Sequence, residues 1–389
     1  MPCVILAQIK RYQPKVGTEF SGSSPPEVFV GHYNYPNVFT GILSPNEHGD
    51  TEQMSLPELW YKEQSSILDI LNFRSRMIYS RFTTQIAKAR SKDADKFLDV
   101  MQQISMANKS IDASFKLKKK PVIKIDLDRH VAMIGNPAPL KSVKLDSNPK
   151  IEKKVDYLVN DTDVKATQAI SELYKSRINV SNIIKILSAG ILGMKIQRKL
   201  VPTRWAVTAT DDTLSKQLLE KIRYYSQLSE FLLFHADYLG NHYNILLMPG
   251  PWSFEVIEAS SKGYFGKTGN IATWHDYEFF QPRKKYANSV TGAYYSNRLG
   301  ICEYLEKIKK QASCLVMREV REEYWAPCGV GILREVTRAA MQTQPEKFNT
   351  IEEALQRSQT RFKLPVSLYK EKSRIIENIK TQTRLAKFL

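Results

Sequence analysis

Between Arg204 and Pro251 the hydrophobic period of the chain switches repeatedly, and that switching limits the folds open to it. Arg204–Thr210 alternates, which predicts a strand, and Asp211 and Asp212 follow as helix-capping residues. Leu214, Leu218, Ile222 and Tyr225 then recur at helical spacing. Glu230–Leu239, with the run Phe231-Leu232-Leu233-Phe234, and His242–Met248 read as two further strands, the second closed by Pro249-Gly250-Pro251. Such a chain is neither a helical bundle nor an all-β sandwich. It predicts an α+β fold, a mixed sheet in the central third surrounded by helices, with a helical C-terminal region.

The flanks fill in the rest. Residues 1–60 carry Pro25-Pro26, Gly31, Pro36, Gly41, Pro45, Gly49 and Pro57 between short β-like runs, which suggests loops and edge strands draped on a core. From Leu59 to about Met106 the pattern is helical, with Ile67, Leu71, Arg74 and Ile78 on one face. Asn160-Asp161-Thr162-Asp163 caps a helix, and a second helix from about Ser181 to Ala189 ends at Gly190. These two have helix-turn-helix proportions and precede the basic Met194–Lys199, as a DNA-reading element would; two helices packed in a core give the same pattern. Further helices are expected over Ser296–Lys310 and from Pro327 or Gly331 to about Ala340.

Charge narrows the partners. There are 57 Lys and Arg against 40 Asp and Glu, a formal net charge of +17. A surface of that sign draws polyanions, so DNA or nucleotide phosphate is the expected partner. Cys3, Cys302, Cys314 and Cys328 are too scattered for a disulfide framework, and no pair has zinc-ligand spacing, so no metal is expected. The N-terminus lacks the features of a signal peptide, and no apolar run approaches bilayer length, so a cytoplasmic protein without membrane contact is expected.

Residues 198–298 concentrate polar, aromatic and basic side chains. Lys199, Thr203 and Arg204 beside a helix start suit a phosphate, and Asp211 with Asp212 suits a shared divalent metal or, equally, a helix cap. His242 and Glu255 at strand ends have the chemistry of a base and an acid, and His275-Asp276 adds a second pair. Tyr294, Tyr295 and Arg298 offer rings for stacking and a guanidinium for phosphate. Familiar nucleotide-loop, zinc-protease and serine-hydrolase motifs are absent, and the residues identify no cofactor.

The chain ends Gln382-Thr383-Arg384-Leu385-Ala386-Lys387-Phe388-Leu389. One tight helical turn puts Leu385, Phe388 and Leu389 on one face, with Gln382 at the rim. This resembles the PCNA-interacting peptide, by which replication and repair proteins dock on the sliding clamp. The alternative is that the tail packs on its own domain.

Several stretches resemble the archaeal Nre family: Ser24–Gly31; Asn160–Asp163; Arg198–Trp205 with Thr210-Asp211-Asp212; Tyr238–Tyr243 with Pro249–Glu255; Gly292–Tyr295 with Arg298; and Tyr324–Pro327 with Gly329-Val330. The resemblance covers essentially the whole chain. It implies an archaeal cytoplasmic protein of the DNA-damage response that works with PCNA. It also implies an N-terminal region over 1–260, a mostly helical C-terminal region over 261–375, and an exposed clamp-binding tail over 376–389. Many members begin with a four-cysteine zinc finger. Here Cys3 alone corresponds to a ligand, so this is a finger-less member or one whose start lies downstream of a finger. Two functions from different classes follow. One is a clamp-associated repair factor reaching DNA through basic surface. The other is an enzyme on a nucleotide or nucleic-acid phosphate (nuclease, nucleotide hydrolase or ADP-ribosyl transfer) with its pocket in residues 198–298.

Overall fold

The turn-rich start of the chain forms half of a sheet. In the computed structural model β1 (Glu19–Ser24), β2 (Val28–Val30), β3 (Asn37–Ser44), β4 (Ile78–Gln85), β5 (Ile111–Leu117) and β6 (Asn136–Leu145) pair in the order β1-β5-β6-β4-β3-β2. All neighbours are antiparallel except β4 and β6, which run parallel with Ile78 opposite Asn136. In β5 the alternation is clean: Ile111, Ala113, Phe115 and Leu117 are buried while Ser114 and Lys116 face solvent. The structure describes residues 7, 10–12, 14–91, 95–122, 130–260 and 271–381.

The helical series begun at Ile67 ends sooner than its spacing suggests. α1 spans Pro57–Lys62 and α2 spans Ile67–Arg76. Ser66 fixes the start of α2: its hydroxyl accepts from the Asp69 amide at 3.2 Å, and the Asp69 carboxylate accepts from the Ser66 amide at 2.8 Å. Ile78 opens β4 instead, where the run Ile-Tyr-Ser-Arg-Phe-Thr-Thr favours extended backbone. α3 (Lys96–Met106) packs on β3 and β6.

α4 (Lys153–Asn160), α5 (Ala166–Lys175) and α6 (Val180–Ser188) follow. The helix-turn-helix proportions of α5 and α6 are present, but α6 is buried at every position except Asn182. A helix spent on the core cannot enter a groove of DNA, so the packed-helices alternative is the one that forms. The basic segment after it is anchored by Arg198, whose guanidinium donates to the Gly193 carbonyl at 2.7 Å and the Asp161 carbonyl at 2.8 Å.

α7 is one helix over Thr203–Ile222. The alternation in Arg204–Thr210 does not make a strand, and Asp211 and Asp212 lie inside the helix rather than at its start. Pro202 supplies the helix start, as its carbonyl accepts from the Trp205 and Ala206 amides at 2.8 and 2.9 Å.

The second sheet holds β7 (Phe231–Tyr238), β8 (Asn241–Met248), β9 (Ser253–Ser260), β10 (Ala272–Glu278), β11 (Ser313–Val320) and β12 (Glu346–Phe348), in the order β10-β9-β11-β8-β7-β12. β9 and β11 are parallel and the other pairs antiparallel. α8 (Gly292–Ile308) and α9 (Val330–Gln342) fall near their expected places, and α10 (Ile351–Gln359), α11 (Ser367–Lys372) and α12 (Arg374–Thr381) close the chain. Leu233, Leu246, Met248, Ile257, Leu315 and Met317 form one core with Leu355, Tyr369, Ile375 and Ile376 of the last helices. Each fully buried side chain of this kind contributes about 1.5–3 kcal/mol. On the opposite face Phe234 meets Tyr304 and Phe254 meets Tyr294, both on α8. The fold is α+β with two sheets, in two units: Met1–Leu214 with Ala326–Ile332, and Ser215–Trp325 with Leu333–Leu389. No helix among the described residues is long and apolar enough to cross a membrane.

Candidate nucleic-acid interface

In the first unit, the loop after β2 meets the start of α7. The Thr203 hydroxyl accepts from the Val30 amide at 2.9 Å and shares a 3.0 Å hydrogen bond with Ser188 Oγ. Thr203 therefore ties β2 and α6 to the helix start, and its oxygen is engaged in the fold. The next residue faces two imidazoles: Arg204 Nη1 lies 3.3 Å from His32 Nε2, and Nη2 lies 3.3 Å from His130 Nδ1. A guanidinium has only donors, so both facing ring nitrogens accept.

Around this cluster the surface is aromatic and basic. Tyr33 is 70% exposed and Trp205 46%, and Tyr35, whose ring centre is 5.4 Å from that of Trp205, is also exposed. The Arg81 guanidinium lies 4.6 Å over the exposed Phe39 ring. Phe29, Tyr33, Phe39, Tyr79 and Arg81 line a cavity of about 180 Å³. The Ile86 amide donates to the Pro36 carbonyl at 3.1 Å, and the Ile86 carbonyl accepts from Leu200 at 3.0 Å. This joins the turn holding Lys88 and Arg90 to the one holding Lys195 and Lys199, all four side chains exposed. Arg90 also donates to the Ile196 carbonyl at 2.5 Å. Rings that stack and cations that follow a phosphate backbone are what single-stranded nucleic acid requires. Sequence reasoning identified Lys199 and Arg204 here but missed Tyr33, Tyr35, Arg81 and Trp205. An aromatic residue in a loop or a first helical turn gives no periodic signal that it stays exposed.

The second unit uses several expected site residues differently. Arg298 and Glu278 form a buried ion pair at 3.0 Å, with Arg298 Nε donating to Ser215 Oγ at 3.0 Å and Trp252 Nε1 donating to Glu278 at 3.2 Å. Tyr294 and Tyr295 lie under the Arg298 guanidinium and are buried with it. Burial also pushes the Tyr294 hydroxyl well above the ordinary phenol range. No base can stack on these rings in this arrangement. Glu255 is fully buried and receives His275 Nε2 at 2.6 Å, the Arg374 amide at 2.7 Å, the Ile375 amide at 3.3 Å and the Ser373 hydroxyl. Its carboxylate thus holds the start of α12. Strand register separates it from His242: Glu255 aligns with Leu315 and Leu246, and His242 with Glu319 and Ala259. The carboxylate of Asp276, beside His275, accepts from the Ser289 and Val290 amides at 2.9 and 2.7 Å.

His242 has other company. It lies directly opposite Asp237 in the β7–β8 hairpin, and His235 sits two residues before Asp237 on the same face. One ligand atom from each of the three lies within 4.8 Å of the others. Burial, then the Arg361 guanidinium, lowers the His235 pKa; burial, then Arg321, lowers that of His242. His235 and Asp237 were missed because His-x-Asp in an apolar run reads simply as strand alternation. Asp211 is buried and Asp212 half-buried within α7, and neither belongs to a group of three potential metal ligands among the described residues. Gln382, Leu385, Phe388 and Leu389 lie outside the described residues.

Two sheet-based units, the first with an aromatic and basic face, define an α+β protein. Residues 2–265 match the archaeal Nre N-terminal region and residues 278–388 the archaeal Nre C-terminal region. The chain belongs to the archaeal Nre family. It is 37% identical to DNA repair protein NreB of Archaeoglobus fulgidus, covering 96% of this chain and 93% of the relative. It is 35% identical to DNA repair protein NreA of Haloferax volcanii, covering 90% and 84%, and 34% identical to NreA of Archaeoglobus fulgidus, covering 88% and 85%. No solved structure matches the chain.

Proposed function

We propose that this protein acts in DNA repair, docking on the sliding clamp PCNA through Gln382–Leu389 and contacting DNA through the face of Tyr33, Tyr35, Arg81, Lys88, Lys199, Arg204 and Trp205. The observation that carries the reading is the 34–37% identity to DNA repair proteins over 88–96% of the chain. The tail sequence supports the clamp, and exposed rings interleaved with cations support DNA. Clamp docking raises the local concentration of the aromatic face at DNA without fixing any chemistry there.

Calorimetric titration of the intact chain, and of a chain ending at Thr381, against a homotrimeric clamp tests the docking. Binding by the intact chain alone is expected; equal binding or none by both removes the clamp from the proposal. Fluorescence anisotropy on single-stranded DNA tests the face. Trp205→Ala and Tyr33→Ala are expected to weaken binding by about 1–3 kcal/mol per lost stack. Affinity is expected to fall steeply as salt is raised, because Lys and Arg contacts release counterions. A flat salt response together with unchanged affinity in both variants would rule the face out.

A further inference from the structure

We propose that His235, Asp237 and His242 bind a divalent transition-metal ion, zinc foremost, beside the turn of the β7–β8 hairpin. Leu239 and Gly240 have φ of +51° and +75°, the pair of left-handed conformations that a two-residue hairpin turn requires. A Cβ on Gly240 would come within 2.6 Å of the Tyr324 backbone nitrogen, so the turn is held from outside as well. With the turn fixed, register follows: Tyr238 faces Asn241, Asp237 faces His242 and His235 faces Asn244. Side chains two apart on one strand and directly across on its neighbour share a face. Two imidazoles and a carboxylate therefore project together from one rigid element.

Several observations separate this trio from an ordinary polar surface. Its donor atoms all lie within 4.8 Å of one another, while ligands on one tetrahedral zinc at 2.0–2.1 Å bonds sit roughly 3.4 Å apart. Both histidines are half-buried and Asp237 is exposed, so the trio is a shallow site with an entry path. None of the three side chains makes a hydrogen bond or ion pair with another described residue. The same sheet face carries Leu233, Leu246 and Met248 into the core, so the polar end is a local departure from an apolar stripe. The nearby guanidiniums do not repel a cation unopposed: Arg321 pairs with Glu319 at 2.5 Å, and Arg361 pairs with Glu346. Two imidazoles with one carboxylate form a mixed nitrogen and oxygen set that suits zinc, and three protein ligands leave a position for water or a ligand oxygen.

The test uses the full-length, tag-free chain. It is loaded with zinc chloride, dialysed, and assayed for retained metal by mass spectrometry; cobalt(II) loading reads the coordination geometry by visible absorption. About one zinc per chain is expected, with a tetrahedral cobalt spectrum. Asp237→Asn and His242→Ala are each expected to lower zinc affinity by at least about tenfold. Zinc should raise the melting temperature of the parent chain but not of the variants. Asp237 is exposed, so its variant keeps the result decisive should His242→Ala fail to fold. Loss of all zinc from the parent on dialysis overturns the proposal, as does equal retention by parent and the Asp237→Asn variant. Neither result depends on clamp or DNA binding.

Discussion

At the residue scale, the most consequential side chain of the first unit is Glu27, in a stretch read from sequence as an edge strand. Its carboxylate pairs with Arg74 at 3.0 Å and Lys185 at 2.7 Å, all three largely buried. Burial alone would raise the Glu27 pKa, but Lys185 and Arg74 outweigh it and hold the group below its ordinary value of 4.5. A depressed carboxylate pKa means stability that is fully present above the unfolded value and is lost as pH falls through the folded one. Urea midpoints should therefore be steady down to about pH 5 and fall below pH 4.5, and that acid slope should be shallower in Glu27→Gln. At pH 7 the same variant leaves two buried cations unpaired and should lose about 3–5 kcal/mol. A loss under 1 kcal/mol would mean that water reaches the cluster. Thiols behave more simply. Cys302, Cys314 and Cys328 are buried thiols, and burial pushes Cys328 up to about 12 and raises the other two as well. A thiol so protonated is a poor nucleophile. The folded chain should give at most one reactive thiol with a disulfide reagent, against four in guanidinium.

At the element scale, period predicted well where neighbours agreed with it and failed where they did not. The strands at Phe231–Tyr238 and Asn241–Met248 were legible because apolar runs ended in Leu239-Gly240 and Pro249-Gly250-Pro251. The strand read into Arg204–Thr210 was not there. Pro202 at a helix start and the helix formers beyond Thr210 propagate one helix through it. Nor did alternation reveal β4, because Ile78 also fits the helical series of Ile67, Leu71 and Arg74. The candidate interface was half legible for a related reason. Lys195 and Lys199 lie in a visibly basic stretch, whereas Arg81 comes from a strand and the rings from a loop and a helix start that only folding brings together. The hairpin turn offers a direct check at this scale. Gly240→Ala places a Cβ against backbone at a positive φ, so strain has no flexible side chain to absorb it. It should cost more than about 1 kcal/mol in urea melts. Gly49, at φ +113° with nothing within 4 Å of its Cβ position, provides the control for strain without contact.

At the scale of the whole molecule, family regions and compact units divide the chain differently. The two family matches meet between residues 265 and 278, inside the second sheet, whereas the first unit closes at Leu214 and takes back Ala326–Ile332. Sequence order alone cannot show such a return, since it depends on which face a later segment covers. The same logic decides where the second unit ends and the tail begins. Glu255 is buried with a carboxylate whose partners include the Arg374 and Ile375 amides and Ser373 Oγ, and Ile375 and Ile376 are 1% exposed. A chain ending at Lys372 leaves that carboxylate with His275 alone and strips two core side chains. From about 1–3 kcal/mol for the lost hydrogen bonds to a buried charge and 1.5–3 kcal/mol per side chain, it should lose several kcal/mol. A chain ending at Thr381 retains every one of these contacts and should melt within about 0.5 kcal/mol of the intact protein. Urea melts of the three lengths separate the two roles that the last residues can have. If the chain ending at Thr381 loses several kcal/mol, Leu385, Phe388 and Leu389 serve the protein's own core, and the apolar plug has no need of a clamp. If it melts with the parent, the tail's apolar residues contribute nothing to the fold, and a partner's pocket is the burial that accounts for them.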